Sequence, residues 1–321
     1  MRGKFCVLLL SLVFTSSMLW SLPIEWSLEK MPSSQSWDQI AYGNGMFIAL
    51  SSGIDGSNTA ASSTNGTNWT EIMLPRVLHW SGITYGKGKF VALGGSDSNV
   101  VATSEDGNSW LVHSLPGRAH WESLAFGNGI FVAIADGMMT ATSANGEDWV
   151  AHEMPSRQNW QSVTYGNGEF VAISFNKSDA VASSVDGSTW KMGKLPEMQD
   201  WTSVAFGNGM FIAVSTDILK SGTDLIAISS DGIKWQGAKL PAKQYWQSIC
   251  FGDGNFMVIS NGDERNLSAI SQDGVHWHMQ TLSADFVWAR VCYGAHRYVA
   301  SVSSDSDLND TDAVALYQVP Q

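Results

Sequence analysis

The stretch SVAFGNGMFIAV, Ser203 to Val214, decides the fold. Two apolar runs flank Gly207-Asn208-Gly209, and Asn-Gly between such runs signals a two-residue turn with positive φ at both positions. The chain writes this hairpin repeatedly: QIAYGNGMFIAL from Gln39, SLAFGNGIFVAI from Ser123, SVTYGNGEFVAI from Ser162. A Trp opens each of seven copies, at Trp37, Trp80, Trp121, Trp160, Trp201, Trp246 and Trp288, in steps of 43, 41, 39, 41, 45 and 42 residues. A variable loop follows each hairpin, then a short strand such as VVATS or AVASS. A tight turn such as EDG or VDG comes next, then a second Trp: Trp69, Trp110, Trp149, Trp190, Trp235 or Trp277. Most copies finish with Leu-Pro or Met-Pro.

Four short strands in about 42 residues is the period of a propeller blade. The seventh copy, from Trp288, runs through RVCYGAHRYVASV and AVALYQV and stops without a fourth strand. The missing piece is at the other end, where EWSLEKMP, Glu25 to Pro32, matches NWTEIMLP, Asn68 to Pro75. The expected fold is all-β: a seven-bladed β-propeller of four-stranded antiparallel blades. Residues 24–32 complete the last blade, three strands plus one, so that no sheet edge stays open at the join. The repeated residues read as scaffold. Ile40/Tyr42, Leu124/Phe126 and Val204/Phe206 sit two apart, on one strand face.

The hydrophobic share of 44% suits a globular chain of 321 residues, and a net charge of -12 argues against nucleic acid and anionic membranes as partners. Residues 1–21, with Arg2 and Lys4 before the apolar run FCVLLLSLVF and then Ser16, Ser17 and Ser21, read as a signal peptide. Residues 22–321 are then the propeller, secreted, periplasmic or at the cell surface, with no membrane insertion after cleavage and monomeric. Beyond Cys6 in the leader, only Cys250 and Cys292 remain, at matching positions of adjacent blades. Packed sheets stand about 10 Å apart and disulfides need Cα atoms within roughly 7 Å, so two buried free thiols are expected.

The tight turns read SEDGNSW from Ser104, SVDGSTW from Ser184, SSDGIKW from Ser229 and SQDGVHW from Ser271, with Asn65 and Asn145 replacing Asp in two copies. They resemble the Asp-box of sialidase-like propellers (bacterial neuraminidase repeats), one residue shorter. With the YGNGxFVA hairpin, the chain is also similar to propellers of the photosystem II assembly-factor type. The resemblance implies the propeller fold. The arginine triad and Tyr/Glu pair of sialidases are not placed on residues here, and fold alone assigns no chemistry.

In a four-stranded meander the uniform first and third turns share one end of the ring. The irregular second loops and the blade connections share the other, where binding usually sits. Three of the seven Arg fall in consecutive blade connections, LPRVLHW, LPGRAHW and MPSRQNW. Arg76, Arg118 and Arg157, with His79, His120 and the indoles of Trp80, Trp121 and Trp160, form the candidate site for an acidic ligand: guanidinium for carboxylate or sulfate, Trp for sugar faces. The opposing reading makes each opening Trp a plug between blades and pairs each Arg with local carboxylates.

Asp305, Asp307, Asn309 and Asp312 have the alternating oxygens of a calcium loop but lack its Gly and its distant Glu. No cofactor is otherwise expected, and calcium is the one ion considered. His276 and His278 share a strand face without an evident third ligand. The functional expectation is an exported binding module for a glycan or protein ligand on the loop-rich face, more a binder than an enzyme. The alternatives are a sialidase-like glycoside hydrolase and a non-catalytic assembly or scaffold factor.

Overall fold

The computed structural model describes residues 25–217, 219, 221–261, 266–304 and 311–319. The proposed signal peptide lies outside them. Among the described residues every regular element is a strand, and there is no helix. The hairpin at Ser203–Val214 turns at Asn208 (φ 46°) and Gly209 (φ 77°), with Gly207 paired to Met210. Both central residues are left-handed, which Asn and Gly tolerate and β-branched residues do not.

The strands pair as antiparallel meanders. In the first unit Trp37–Gly43, Met46–Ser51, Ser57–Ser63 and Thr70–Leu78 lie side by side in chain order. Five further units follow the same plan. Val150–Gly166 and Lys191–Gly207 run unbroken from the fourth strand of one unit into the first strand of the next. In the former, residues up to Gln158 pair backward with Gly137–Ser143, and those from Asn159 pair forward with Glu169–Phe175. This continuity merges three units into one ten-stranded ladder. The last unit joins Trp288–Gly294, Arg297–Val302 and Thr311–Gln318 to Ser27–Gln35 from the other end of the chain, with Ser27 opposite Leu316. Among the described residues, these pairings make seven groups of four.

One expectation changes. The fourth strand does not end at Leu-Pro or Met-Pro but continues for three or four residues. The strand Ser27–Gln35 passes Pro32, and its register slips between Lys30 and Gln35. Proline cannot donate to the ladder, so the chain bulges there and resumes pairing beyond it.

First strands of successive units lie beside one another, and that of the seventh lies beside that of the first. The contacts that space them form a cycle. The glycine closing each first strand lies under an aromatic ring of the next unit: Gly43 under Tyr85, Gly207 under Phe251, Gly252 under Tyr293, and finally Gly294 under Tyr42. Second strands such as Met46–Ser51 are almost wholly buried, because both faces meet a neighbouring sheet. The core therefore lies between units. At the join, Met31, Val299 and Val314 pack with Trp37 and Phe47.

The box turns hold the other end. Ser104 Oγ accepts the N–H of Gly107 at 2.8 Å, and Asp106 Oδ1 accepts those of Asn108 and Ser109 at 2.9 and 2.7 Å. Trp110 Nε1 then donates to the Gly107 carbonyl. Asn65 does the same work with one side-chain oxygen, accepting from Thr67 and Asn68. Cys250 and Cys292 are free, half-buried residues packed against the core clusters at the join. Burial pushes both thiols up, Cys292 to about 12, with the Cys292 thiol adding a smaller upward push on Cys250.

Candidate functional site

The irregular second loops and the ends of the fourth strands meet at one end of the ring. Arg76, Arg118 and Arg157 are there and exposed, but not in connecting loops. They stand in the post-proline parts of Thr70–Leu78, Leu111–Ala119 and Val150–Gly166, opposite the start of each third strand. Arg118 Nε reaches Asp97 Oδ2 at 3.5 Å, and both side chains are about two-thirds exposed, so that pair is strongly screened. Among the described residues Arg76 and Arg157 have no carboxylate within ion-pair distance, and Arg157 lies over the backbone of Gly137. His79 is half-buried and His120 exposed. The carbonyls of both accept from the first residue of a second loop, Gly95 and Asp136.

The indoles are not part of this surface. Trp80, Trp121 and Trp160 are at most 1% exposed, wedged between units. Trp80 Nε1 donates to the Ser57 carbonyl and Trp121 Nε1 to that of Gly117. They fill gaps and cannot stack on a ligand. No described Trp, Tyr or Phe is exposed.

The far side of this end is built differently. Lys177 Nζ lies 2.8 Å from Asp217 and 3.4 Å from Asp200, two carboxylates almost fully buried, and its backbone N–H donates to Asp200. Burial works to lower the Lys177 pKa, but the two carboxylates outweigh it and raise it. Lys239 meets Asp224 at 3.0 Å. Asp263 and Glu264 lie outside the described residues.

Inside the ring a second polar surface appears that motif reading missed. The ladder slips immediately after every opening Trp, between Trp37 and Gln39 and likewise in the other units. Bulges re-aim side chains. The residues one and two places after the Trp line a channel cavity of about 70 Å³, with Gln39, Ser81, Glu122, Gln161, Thr202 and Arg290 on its wall. Surrounding protein lowers the Arg290 pKa, against the upward pull of Asp38 and Glu122. Burial raises that of Glu122, helped by Asp136 and opposed by His120 and Arg290. Alignment of the second residue after each Trp would have marked this wall, since Arg290 stands where most units carry Ser.

The calcium expectation falls mainly on residues outside those described. Asp305, Asp307 and Asn309 lie outside the described residues, and Asp312 pairs with Lys30 at 3.3 Å. His276 Nδ1 meets Asp273 at 2.7 Å, and no group of three His, Cys, Asp or Glu gathers among the described residues.

No protein-family model matches the chain, and no curated protein matches it by sequence. Solved structures do. Virginiamycin B lyase from Staphylococcus aureus aligns over 92% of this chain and all of its own, with a TM-score of 0.77 at 11% identity. YCF48 bound to a D1 peptide aligns over 92% of this chain and 95% of its own, with a TM-score of 0.68 at 12% identity. The WD40 propeller domain of Doa1 aligns over 93% and 98%, with a TM-score of 0.65 at 13% identity. The fold is a β-propeller. At these identities the likeness carries architecture alone, and the sialidase-like resemblance rests on the box turns without a family match.

Proposed function

We propose that this chain is a seven-bladed propeller, clasped by Ser27–Gln35, that binds an acidic segment of a protein at its loop-bearing end. The observation that carries the reading is the placement of Arg76, Arg118 and Arg157 on three consecutive units, exposed and at one height. On a chain of net charge -12 such a run is local and needs a local reason. Guanidinium groups match carboxylates with two parallel hydrogen bonds. A peptide is favoured over a sugar because among the described residues no aromatic side chain is exposed for stacking. YCF48 carries a peptide on a similar scaffold, which supports the same class of ligand. Residues 1–21 act as an export signal in this reading, and the domain works outside the cytoplasm as a binder rather than an enzyme.

The test is an array of acidic, neutral and basic peptides beside a glycan array, probed with the mature chain and with an Arg76→Gln/Arg118→Gln/Arg157→Gln variant. Acidic peptides should bind, more weakly at high salt, and the variant should lose them with its melting temperature kept. Equal binding by variant and parent, or capture of glycans alone, overturns the reading.

A further inference from the structure

The strongest departure from the repeat lies in the lumen. The second residue after the opening Trp is Ser123, Ser162, Ser203 and Ser248 in units three to six. Each hydroxyl accepts an N–H from the next unit's first strand, from Val163, Val204, Ile249 and Val291, at 3.2–3.3 Å. In the three consecutive units around the join the serine is gone, replaced by Arg290, Gln39 and Gly82. The hydroxyl latch from the seventh unit to the first has been exchanged for a guanidinium on the channel wall.

Its surroundings leave it room. Ala289 is the smallest residue at the first post-Trp position. Gly82 is demanded neither by a turn nor by crowding, since an added Cβ would come no nearer than 3.7 Å to another atom. The space beside Gly82 is therefore left unfilled. The Arg290 guanidinium makes one hydrogen bond, Nη1 to the Ala289 carbonyl at 3.2 Å, and among the described residues no carboxylate lies within ion-pair distance. Asp38 is held instead by the hydroxyls of Ser36 and Ser52. A guanidinium offers five N–H donors in a planar fork. Enclosing one with no carboxylate partner costs stability, and such local violations mark functional sites.

We propose that the mouth of the channel is a binding site for one small carboxylate, held by Arg290 in the space kept open by Gly82. The cavity of about 70 Å³ has room for about two waters at roughly 30 Å³ each. That suits a carboxylate of three to five heavy atoms and excludes a sugar ring. Gln39, Ser81, Gln161 and Thr202 supply neutral polar contacts around it. Glu122 faces Arg290, His120 and Asp136, and Asp38 also bears on Arg290. An incoming anion is therefore repelled less once Glu122 is protonated, and affinity rises as pH falls. The site is separate from the exposed rim arginines.

The test is calorimetric titration of the mature chain with sodium acetate against sodium chloride at matched ionic strength, at pH 5.5 and 7.5 (about two pH units spanning the ordinary carboxyl-to-neutral range). Acetate should bind saturably at one site, more tightly at the lower pH. Arg290→Gln should weaken it about tenfold or more, the loss expected for a charge-assisted pair. Gly82→Val, which fills the space and leaves the charge, should weaken it as much, and Glu122→Gln should flatten the pH dependence. The rim triple variant should bind acetate normally. Absence of saturable acetate binding, or parental affinity in Arg290→Gln, overturns the proposal. Should Arg290→Gln fail to fold, parental affinity in Gly82→Val overturns it.

Discussion

Two glycines in one hairpin give opposite reasons for being glycine, and that difference can be measured. Gly209 sits in the turn with φ +77° and open space around it. Alanine there costs only left-handed backbone, about 1–2 kcal/mol. Gly207, two residues earlier, has no such backbone demand, but a Cβ built on it would lie 2.0 Å from Cγ of Phe251 and 2.1 Å from Cδ2. Carbon atoms rest at about 3.5–4.0 Å, so ring or strand must give by about 1.5 Å. Phe251 cannot slide freely, because its ring is packed against Phe256 at a centroid distance of 4.8 Å. Overpacking of this kind costs about 1–3 kcal/mol, occasionally more, and the size of the overlap puts Gly207→Ala at about 3 kcal/mol. At about 2–4 °C per kcal/mol for domains of a few hundred residues, Gly207→Ala should lower the melting temperature by roughly 6–12 °C, against roughly 2–8 °C for Gly209→Ala. Calorimetry of both variants and of Gly207→Ala/Phe251→Leu is the assay. The trimmed ring should recover part of the loss, so the pair is non-additive. Equal costs for the two alanines, or strict additivity in the double variant, refutes inter-unit spacing by ring on glycine.

Three further outcomes follow from the geometry. Box hydrogen bonds hold Asp106 at about 2 and likewise depress Asp186, Asp231 and Asp273, so their stabilisation is complete above the ordinary Asp value near 3.9 and is lost as pH falls below it. Because Asn65 and Asn145 already do this work, Asp106→Asn should leave the neutral melting temperature nearly unchanged and soften the acid limb of a pH-melting series. Cys250 and Cys292 should resist an aromatic disulfide reagent at pH 8 until denaturant is added, and intact mass should show two thiols; immediate reaction of both contradicts the burial that raises them. Removal of residues through Gln35 withdraws buried Trp26 and Met31 and bares Thr311–Gln318, and the shortened chain should lose its cooperative melt while a cut at residue 24 leaves it intact.

Much of this architecture is legible in the residues, because a propeller repeats its instructions. Asn208-Gly209 names its own turn, and the second Trp of each unit names the box. What escapes is whatever depends on the neighbour. Trp121 reads the same whether it plugs a gap or offers a face, and only the adjoining sheet buries it. Pro75 looks like an end, yet the strand resumes beyond it, since a missing donor interrupts one rung and not the ladder. Arg118 is placed on the right rim by its position in the repeat, but its partner Asp97 comes from a loop of no fixed pattern. Arg290 carries no motif at all. It is visible only as a departure from Ser248 and its counterparts, and it acquires meaning once the first strands of the units surround a shared lumen.

The join between Ser27–Gln35 and Thr311–Gln318 has a consequence for biogenesis. Among the described residues Ser27–Gln35 has its ladder partner only in Thr311–Gln318, and Trp26 beside it donates to Ser268, 242 residues away, so this strand waits for the far end of the chain before it is paired. Until then Tyr42 lacks the glycine it covers, and two raw edges face the cell. Nearly finished chains are therefore the hazardous ones. A nascent polypeptide stalled anywhere before Thr311 should be the species that chaperones hold and that self-associates by strand addition.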